Sequence, residues 1–528
     1  MKREIVMPTY WRTFARGALV CLLGLLLAPL AMPPVAAGTR AGEIDAARID
    51  SFVGEQVRRH GLPGLALGIV EGDRIVHLQG FGRADGDGRP VTPQTPFLLA
   101  SVSKPLTATA IMQLVEAGRV ELDAPVRRYL TDFRMADPEA SGRITVRQLL
   151  QHTSGIPITS CDTRADATTL AEFAAELRTV DLAAEPGARH SYCSGNYNLL
   201  GRIVEVVSGQ SFGDYMQRGV FAPLAMGRSF ASEQEAERAG LAQGHRWLFG
   251  VTSAAHERYN TSQLPSGYLI SSAEDMTHFL IAQLNDGRFG DARVLAPEGI
   301  AAMQAPGVSV GPGAGEYGLG WKTAPLGGVP VLQHYGDNFF YHGLVFIDPT
   351  TRRGAVLLMN GNSLLAGATA FREIEAGVAR LLAGQEPAPA SALTIGQVYL
   401  IVDLVLAGLF ALVLWSLLGL RRWAARLAER RRAGRPRLPL LALRLLWELG
   451  LPPGVLVGVR LLFGIGLGAQ SWAEIFAVIP DFAGWLWALA LLMLLTGVLR
   501  AALGVRALHP DARVRARPAV KTHLKTTR

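Results

Sequence analysis

The sequence predicts an α/β domain whose antiparallel sheet is built from both chain ends, flanked by helices with a helical subdomain beside it, and followed by a three-helix transmembrane module. Three observations predict it. Short apolar runs with turn signals lie near one end, at Gly64 to Val70 and Arg74 to Gln79, and return far along the chain at Val329 to His334, Gly343 to Ile347 and Gly354 to Met359. Helical spacing dominates from Ser101 to about Leu284. Beyond residue 395 come three apolar stretches of membrane-crossing length.

Taken in order, residues 1–37 read as an export signal. Lys2, Arg3, Arg12 and Arg16 flank an apolar run from Gly17 to Met32, and Val35-Ala36-Ala37 offers small residues for cleavage. Residues 38–384 then form one domain. Glu71-Gly72-Asp73 splits the first two strands as a hairpin turn, Ser101 to Ala117 has helical spacing, Pro349-Thr350 turns the last strand pair, and a helix from about Thr369 to Leu382 closes the domain. Residues 385–394 carry the Pro/Ala-rich Gln385-Glu386-Pro387-Ala388-Pro389-Ala390, which predicts a spacer with few contacts of its own.

The module at 395–500 has spans at about Ile395 to Leu420, Leu438 to Leu467 and Phe482 to Leu499. Between the first two, at 421–437, stand eight arginines against Glu429, whereas Gly468 to Asp481 has no Lys or Arg and the tail 501–528 is basic. The positive-inside rule places the Arg-rich loop and the tail in the cytoplasm and the preceding domain outside. Glu448, four residues after Arg444, is expected to pair with it as structural glue within the second span.

The formal charge of +8 does not imply nucleic acid, because it is concentrated at the ends. Residues 38–390 carry 30 basic against 37 acidic groups, whereas residues 391–528 carry 18 against 6. An acidic central domain offers no groove for a phosphate backbone. Neither a zinc-type His/Cys cluster nor a phosphate-cradling Gly loop occurs, so no metal and no cofactor is expected. In an exported domain Cys161 and Cys193 can pair or remain separate buried thiols.

Only five of the 52 basic residues are lysines, and just Lys104 and Lys322 fall away from the termini. Lys104 stands three residues after a serine, in Ser101-Val102-Ser103-Lys104. Arg remains protonated in a protein, whereas a buried Lys can give up and take back a proton. One helical turn brings the ammonium to the Ser101 hydroxyl, so a serine nucleophile can be activated without histidine.

Around this tetrad the chain resembles one family in an ordered series. Gly61-Leu62-Pro63-Gly64 and Gly80-Phe81-Gly82 precede Ser101 to Ala108, and His152-Thr153-Ser154-Gly155-Ile156-Pro157 follows. Then come Tyr192-Cys193-Ser194, Asn198 to Gly201, Gly267 to Met276 and Tyr317-Gly318-Leu319-Gly320-Trp321. Over roughly residues 45 to 385 the sequence is similar to the class C beta-lactamase and penicillin-binding-protein-like serine hydrolases, which include D,D-peptidases, D-aminopeptidases and esterases. The resemblance implies a beta-lactamase/transpeptidase-like fold with Ser101 as acylated nucleophile, Lys104 as its proton-transfer neighbour and Tyr192 as proton shuttle. It implies a substrate-facing strand with a cationic or polar residue followed by a Gly, here His334-Tyr335-Gly336, and an oxyanion hole from the backbone N–H groups of Ser101 and Asp337. Lys322-Thr323-Ala324 is the rival for that strand, weakened by Pro325 and the missing Gly. Ser194 stands where the family often has Asn, a departure that counts against efficient beta-lactam turnover. His152 is expected to be structural.

The functional expectation is a membrane-anchored extracytoplasmic serine hydrolase, at the inner membrane with its catalytic domain outside the cytoplasm. It would act through an acyl-enzyme on a small peptide, amide or ester, of cell-wall origin or otherwise. Its partners are that substrate and the lipid bilayer, and no nucleic acid. A carboxylesterase is the alternative within enzymes, and an acylated sensor or binding module signalling through the helices is the alternative outside them.

Overall fold

The structure, a computed structural model, describes residues 43–158, 167–256, 258–434, 438–467 and 471–508. The expected signal segment, Cys21, Cys161 and the chain after Leu508 lie outside the described residues. The chain divides into two compact units, residues 1–400 with 466–480, and residues 401–465 with 481–528.

The first unit is organised by an eight-stranded antiparallel sheet. In chain order its first elements are α1 (Ala46–His60), β1 (Gly64–Glu71), β2 (Arg74–Gly82), α2 (Ser103–Glu116) and α3 (Ser194–Ser208). A separate hairpin of β3 (His245–Leu248) and β4 (Val251–Ala254) precedes α4 (Ala273–Leu284). The remaining strands are β5 (Val308–Ser309), β6 (Glu316–Tyr317), β7 (Lys322–Leu326), β8 (Val329–Asp337), β9 (His342–Asp348) and β10 (Arg353–Met359), and α5 (Arg372–Leu382) follows. The sheet order is β2-β1-β10-β9-β8-β7-β6-β5. The two chain ends meet at the β1/β10 ladder, where Leu67 pairs with Leu357. β1, β9 and β10 are buried along almost their whole length because both faces are covered. Ala66, Val70, Val345 and Val356 face the helical core, while Leu67, Ile69, Leu344 and Leu357 share the other core with Val53 of α1 and Ile374 of α5.

The helical region departs from the sequence expectation at the β3/β4 hairpin, which its short, weakly alternating strands conceal, and at the two-residue strand Ile270–Ser271, which pairs with Phe97–Leu98. One cap sets up the site. Thr145 and Gln148 form a reciprocal capping box at the helix Val146–Leu150, an arrangement worth about 1 kcal/mol, and this helix runs directly into His152.

Residues 385–394 are not the loose spacer their composition predicts. Arg48 pairs with Glu386, the Arg59 guanidinium donates to the Ser391 carbonyl, and Ser391 N–H donates to Glu373 at 2.8 Å. Prolines keep this segment from coiling, and charged partners from α1 and α5 hold it down.

The second unit is helical, and among the described residues three helices are long and apolar enough to cross a membrane: Ile395–Leu418, Leu441–Phe463 and Pro480–Leu508. The first of these is α6. The Arg-rich stretch expected as a loop is helical up to Arg432 as α7 (Leu420–Arg432), with Ala433 and Gly434 in a turn after it, because Leu, Ala and Arg are strong helix formers. The third apolar helix, expected to end near Leu499, continues to Leu508. Glu448 pairs with Arg444 at 3.3 Å as anticipated, and also with Arg500; both guanidiniums donate to Ser416 Oγ, at 3.0 and 2.8 Å. Buried charges in apolar surroundings persist only when paired in this way.

Candidate active site

Ser101 sits in a tight 3₁₀ turn, Ala100–Val102, that runs into α2 rather than inside the regular helix the sequence predicts. Side chains three residues apart eclipse in such a turn, which sets Lys104 over Ser101 more directly than an α-helix would. The Lys104 ammonium donates to Ser101 Oγ at 2.8 Å and to the Ser266 carbonyl at 2.7 Å, and its side chain is fully buried. Ala100, just before Ser101, has φ 46°. A non-glycine residue in that left-handed region costs about 1–3 kcal/mol, and such strain persists only where surrounding contacts enforce it.

Tyr192 packs against the lysine, whose Nζ lies 4.9 Å from the phenol ring centroid. On Tyr192 lies His152, with ring centroids 4.3 Å apart. Nδ1 of His152 accepts from Cys193 N–H at 3.2 Å and has the Asn196 amide at 3.1 Å, while its Nε2 is buried without a hydrogen-bond partner among the described residues. Burial, with the Lys104 charge nearby, pushes its pKa well below the ordinary value. A neutral His152 is thus tied to the start of α3 and not to Ser101, and its ring supports Tyr192. Cys193 is disulfide-bonded, and Ser194 opens α3 immediately after it.

The opposite wall is β8. A Cβ added to Gly336 would lie 2.2 Å from the Leu99 carbonyl oxygen and 3.0 Å from Val102 N, so only glycine lets this strand approach the Ser101 turn. Asn338 N–H donates to the Tyr341 carbonyl, and Gly336 pairs with Gly343 and His334 with Val345. Antiparallel pairs alternate between bonded and non-bonded. Asp337 N–H therefore points away from β9. On that other edge β7 pairs β8 only as far as Gln333, so residues 334–337 face the cleft unpaired by β7.

His334 is buried, and its Nδ1 donates to the Tyr335 carbonyl at 2.7 Å. Burial, then the Lys104 charge, drives its pKa down to about 3. The ring is thus neutral with a bare Nε2, which accepts from the Tyr317 hydroxyl at 2.8 Å. Of the cationic or polar residue that the family resemblance implies here, the structure supplies the neutral form. Lys322, the rival, pairs with Gln333 one position away, and its charge helps depress His334.

Tyr317 is the residue that sequence reasoning missed. It is buried, burial holds its phenol well above its ordinary pKa, and its ring meets those of His152 at 4.8 Å and Tyr192 at 6.1 Å. Its signal was present in Tyr317-Gly318-Leu319-Gly320-Trp321. Gly320 has φ 89°, and a Cβ there would lie 2.7 Å from Ala108 Cβ, so this glycine lets the turn carrying Tyr317 close onto α2.

Asp337 is fastened from behind. His342 Nδ1 meets its carboxylate at 2.7 Å and Nε2 meets Glu375 on α5 at 2.5 Å. Burial opposes the charge on His342, but the two carboxylates outweigh it and raise its pKa to about 10. Desolvation works against the Asp337 carboxylate, yet the charge and hydrogen bond of His342, with Asn362, hold its pKa below the ordinary value.

Known proteins resemble the chain over this first unit. The family model Beta-lactamase matches residues 49–378. Penicillin-binding protein 4 of Amycolatopsis lactamdurans is 34% identical over 331 residues, 60% of this chain and 85% of that protein. Protein flp of Staphylococcus aureus is 27% identical over 60% of this chain and 63% of its own length. Among solved structures, the octameric penicillin-binding protein homologue from Pyrococcus abyssi superposes with a TM-score of 0.57 at 27% identity, over 65% of this chain and 78% of that one. D-alanine carboxypeptidase AmpC from Burkholderia cenocepacia, at 23% identity and a TM-score of 0.54 over 64% of this chain and 99% of its own, shares the fold. With a family match over more than half its length, and a serine turn, lysine and strand edge in the arrangement just described, the chain belongs to the beta-lactamase and penicillin-binding-protein-like family of serine hydrolases.

Proposed function

We propose that this protein is a membrane-anchored serine hydrolase that works outside the cytoplasm through an acyl-enzyme on a peptide, amide or ester. The observation that carries the reading is the 2.8 Å contact between Lys104 Nζ and Ser101 Oγ, in a buried site with an unpaired strand edge beside it. Ser101 Oγ attacks the substrate carbonyl and its proton passes to the Lys104–Tyr192 pair. The backbone N–H groups of Ser101 and Asp337 receive the developing oxyanion, each donor worth about 3 kcal/mol of barrier. Tyr192, beside the Lys104 charge, returns the proton to the leaving group, and water then releases the acyl group. Ser194, at the start of α3, is assigned to the substrate side by the family resemblance.

The membrane part of the proposal rests on the three apolar helices. A carboxylesterase is the second reading, favoured by the neutral His334, which offers no cation for an anionic substrate group.

Intact-protein mass spectrometry after a fluorophosphonate, and separately after a penicillin, tests the proposal. A single adduct on Ser101 is expected with the first. Its absence from a folded protein overturns the hydrolase reading. A penicillin adduct on Ser101 favours a peptidase-like site above an esterase, and a burst without turnover on a small activated ester such as p-nitrophenyl acetate favours a sensor.

A further inference from the structure

The β3/β4 hairpin lies outside the main sheet. Its base is firmly held. Trp247 is buried, stands 6.4 Å from the Phe371 ring and shares a core with Ile395 and Tyr399. Its tip is the reverse: Phe249 is 56% exposed and Val251 69% exposed. Phe249 and Gly250 both have positive φ, 50° and 77°. Such turns favour Asn, Asp or Gly at the first of these positions, so a phenylalanine there is locally unfavourable and half open to its surroundings.

The tip lies against the start of α6. A Cβ added to Gly250 would lie 3.2 Å from Tyr399 Cβ and 3.3 Å from Gly396 Cα. The first turn of this apolar helix is inside the catalytic unit's core, with Ile395 and Tyr399 almost wholly buried, and Leu400, at 57% exposure, is the first strongly exposed apolar residue after it. The helix has 24 residues, which at 1.5 Å each is about 36 Å, against about 30 Å of bilayer hydrocarbon. Its surplus is about one turn, the turn spent in the domain. On the membrane reading above, the bilayer surface then falls near Leu400, at the level of the hairpin tip.

We propose that Phe249, Gly250 and Val251 form a second membrane contact, seated in the boundary between lipid headgroups and acyl chains beside the first span. The pinned segment 385–394 agrees, since the Arg59–Ser391 and Ser391–Glu373 contacts hold the chain entering α6 to the domain that carries the hairpin. An aromatic and a β-branched residue at a hairpin tip suit that boundary. This inference rests on the reading of α6 as a membrane span.

The test uses the full chain reconstituted in phosphatidylcholine vesicles. Val251→Cys, labelled with bimane, is compared with a labelled Glu139→Cys, whose native side chain is 92% exposed, and with identically treated wild-type protein as background. Doxyl-labelled lipid should quench the label at 251 at least about twofold more than at 139, and aqueous iodide should do the opposite. Equal iodide quenching at both positions with no doxyl effect overturns the proposal. Quenching by neither, with crosslinking between copies through 251, overturns it too by showing a second copy as the occupant. Flotation of the unlabelled chain with the vesicles separates the failures. A chain that does not float sinks the membrane reading itself, whereas a floating chain with a water-exposed residue 251 sinks only the hairpin contact.

Discussion

The Tyr317 hydroxyl donates to Nε2 of His334 at 2.8 Å, joining the turn beside α2 to the strand that faces Ser101. Tyr317→Phe leaves that buried nitrogen without a donor, which costs about 1–3 kcal/mol. Thermal unfolding should show a lower Tm, and kcat/KM should fall as His334 and the Gly336 edge loosen. Unchanged melting and unchanged kinetics together would show that the contact is incidental.

Ser101→Ala should abolish fluorophosphonate labelling and leave the fold intact, because Lys104 keeps the Ser266 carbonyl as a second partner. Labelling that survives in the variant assigns the nucleophile elsewhere.

Lys104→Arg keeps the positive charge and removes the proton exchange. Acylation should slow by about 10²–10⁴, the usual contribution of a general acid–base group. Because the larger guanidinium must fit a fully buried position, Lys104→Met serves as a second variant, with circular dichroism confirming the fold. Near-normal acylation in either would reduce the lysine to a structural role.

His342 predicts the alkaline stability of the domain. Its folded pKa is raised to about 10, against burial, by Asp337 and Glu375. Its stabilisation is therefore complete below the ordinary histidine pKa and lost as pH rises through about 10. Tm should decline between about pH 6.5 and about pH 10 in the wild type, and the decline should be shallower in His342→Gln. Parallel slopes would remove the charged His342 from the account.

Topology is open to reporter fusions. A reporter active only in the cytoplasm should be on when fused after Arg528 and off when inserted near Glu474, following the excess of arginine in and around α7. The reverse pattern would mean that a span is miscounted or that charge does not set the orientation here.

The strands at both chain ends, the Ser101–Lys104 pair, the family and the three apolar helices were all legible in the order of residues. Alternation, turn residues, a three-residue spacing and hydropathy act among near neighbours, so they can be read without knowing what packs on what. Whatever depends on distant residues meeting came only with the fold. Tyr317 gained its place between His152 and His334 only when Gly320 let its turn close on α2. The charge state of His334 follows from burial and from Lys104, far away in the chain, so its residue type alone did not reveal a neutral ring. The family resemblance implied Asp337 as a backbone donor, but its fastening through His342 to Glu375 needed strand β9 and helix α5 in place. Composition made residues 385–394 look like a spacer, and long-range pairing with Arg48, Arg59 and Glu373 made them a strap. Local rules specify elements; burial and charge, which depend on the whole fold, specify what their side chains do.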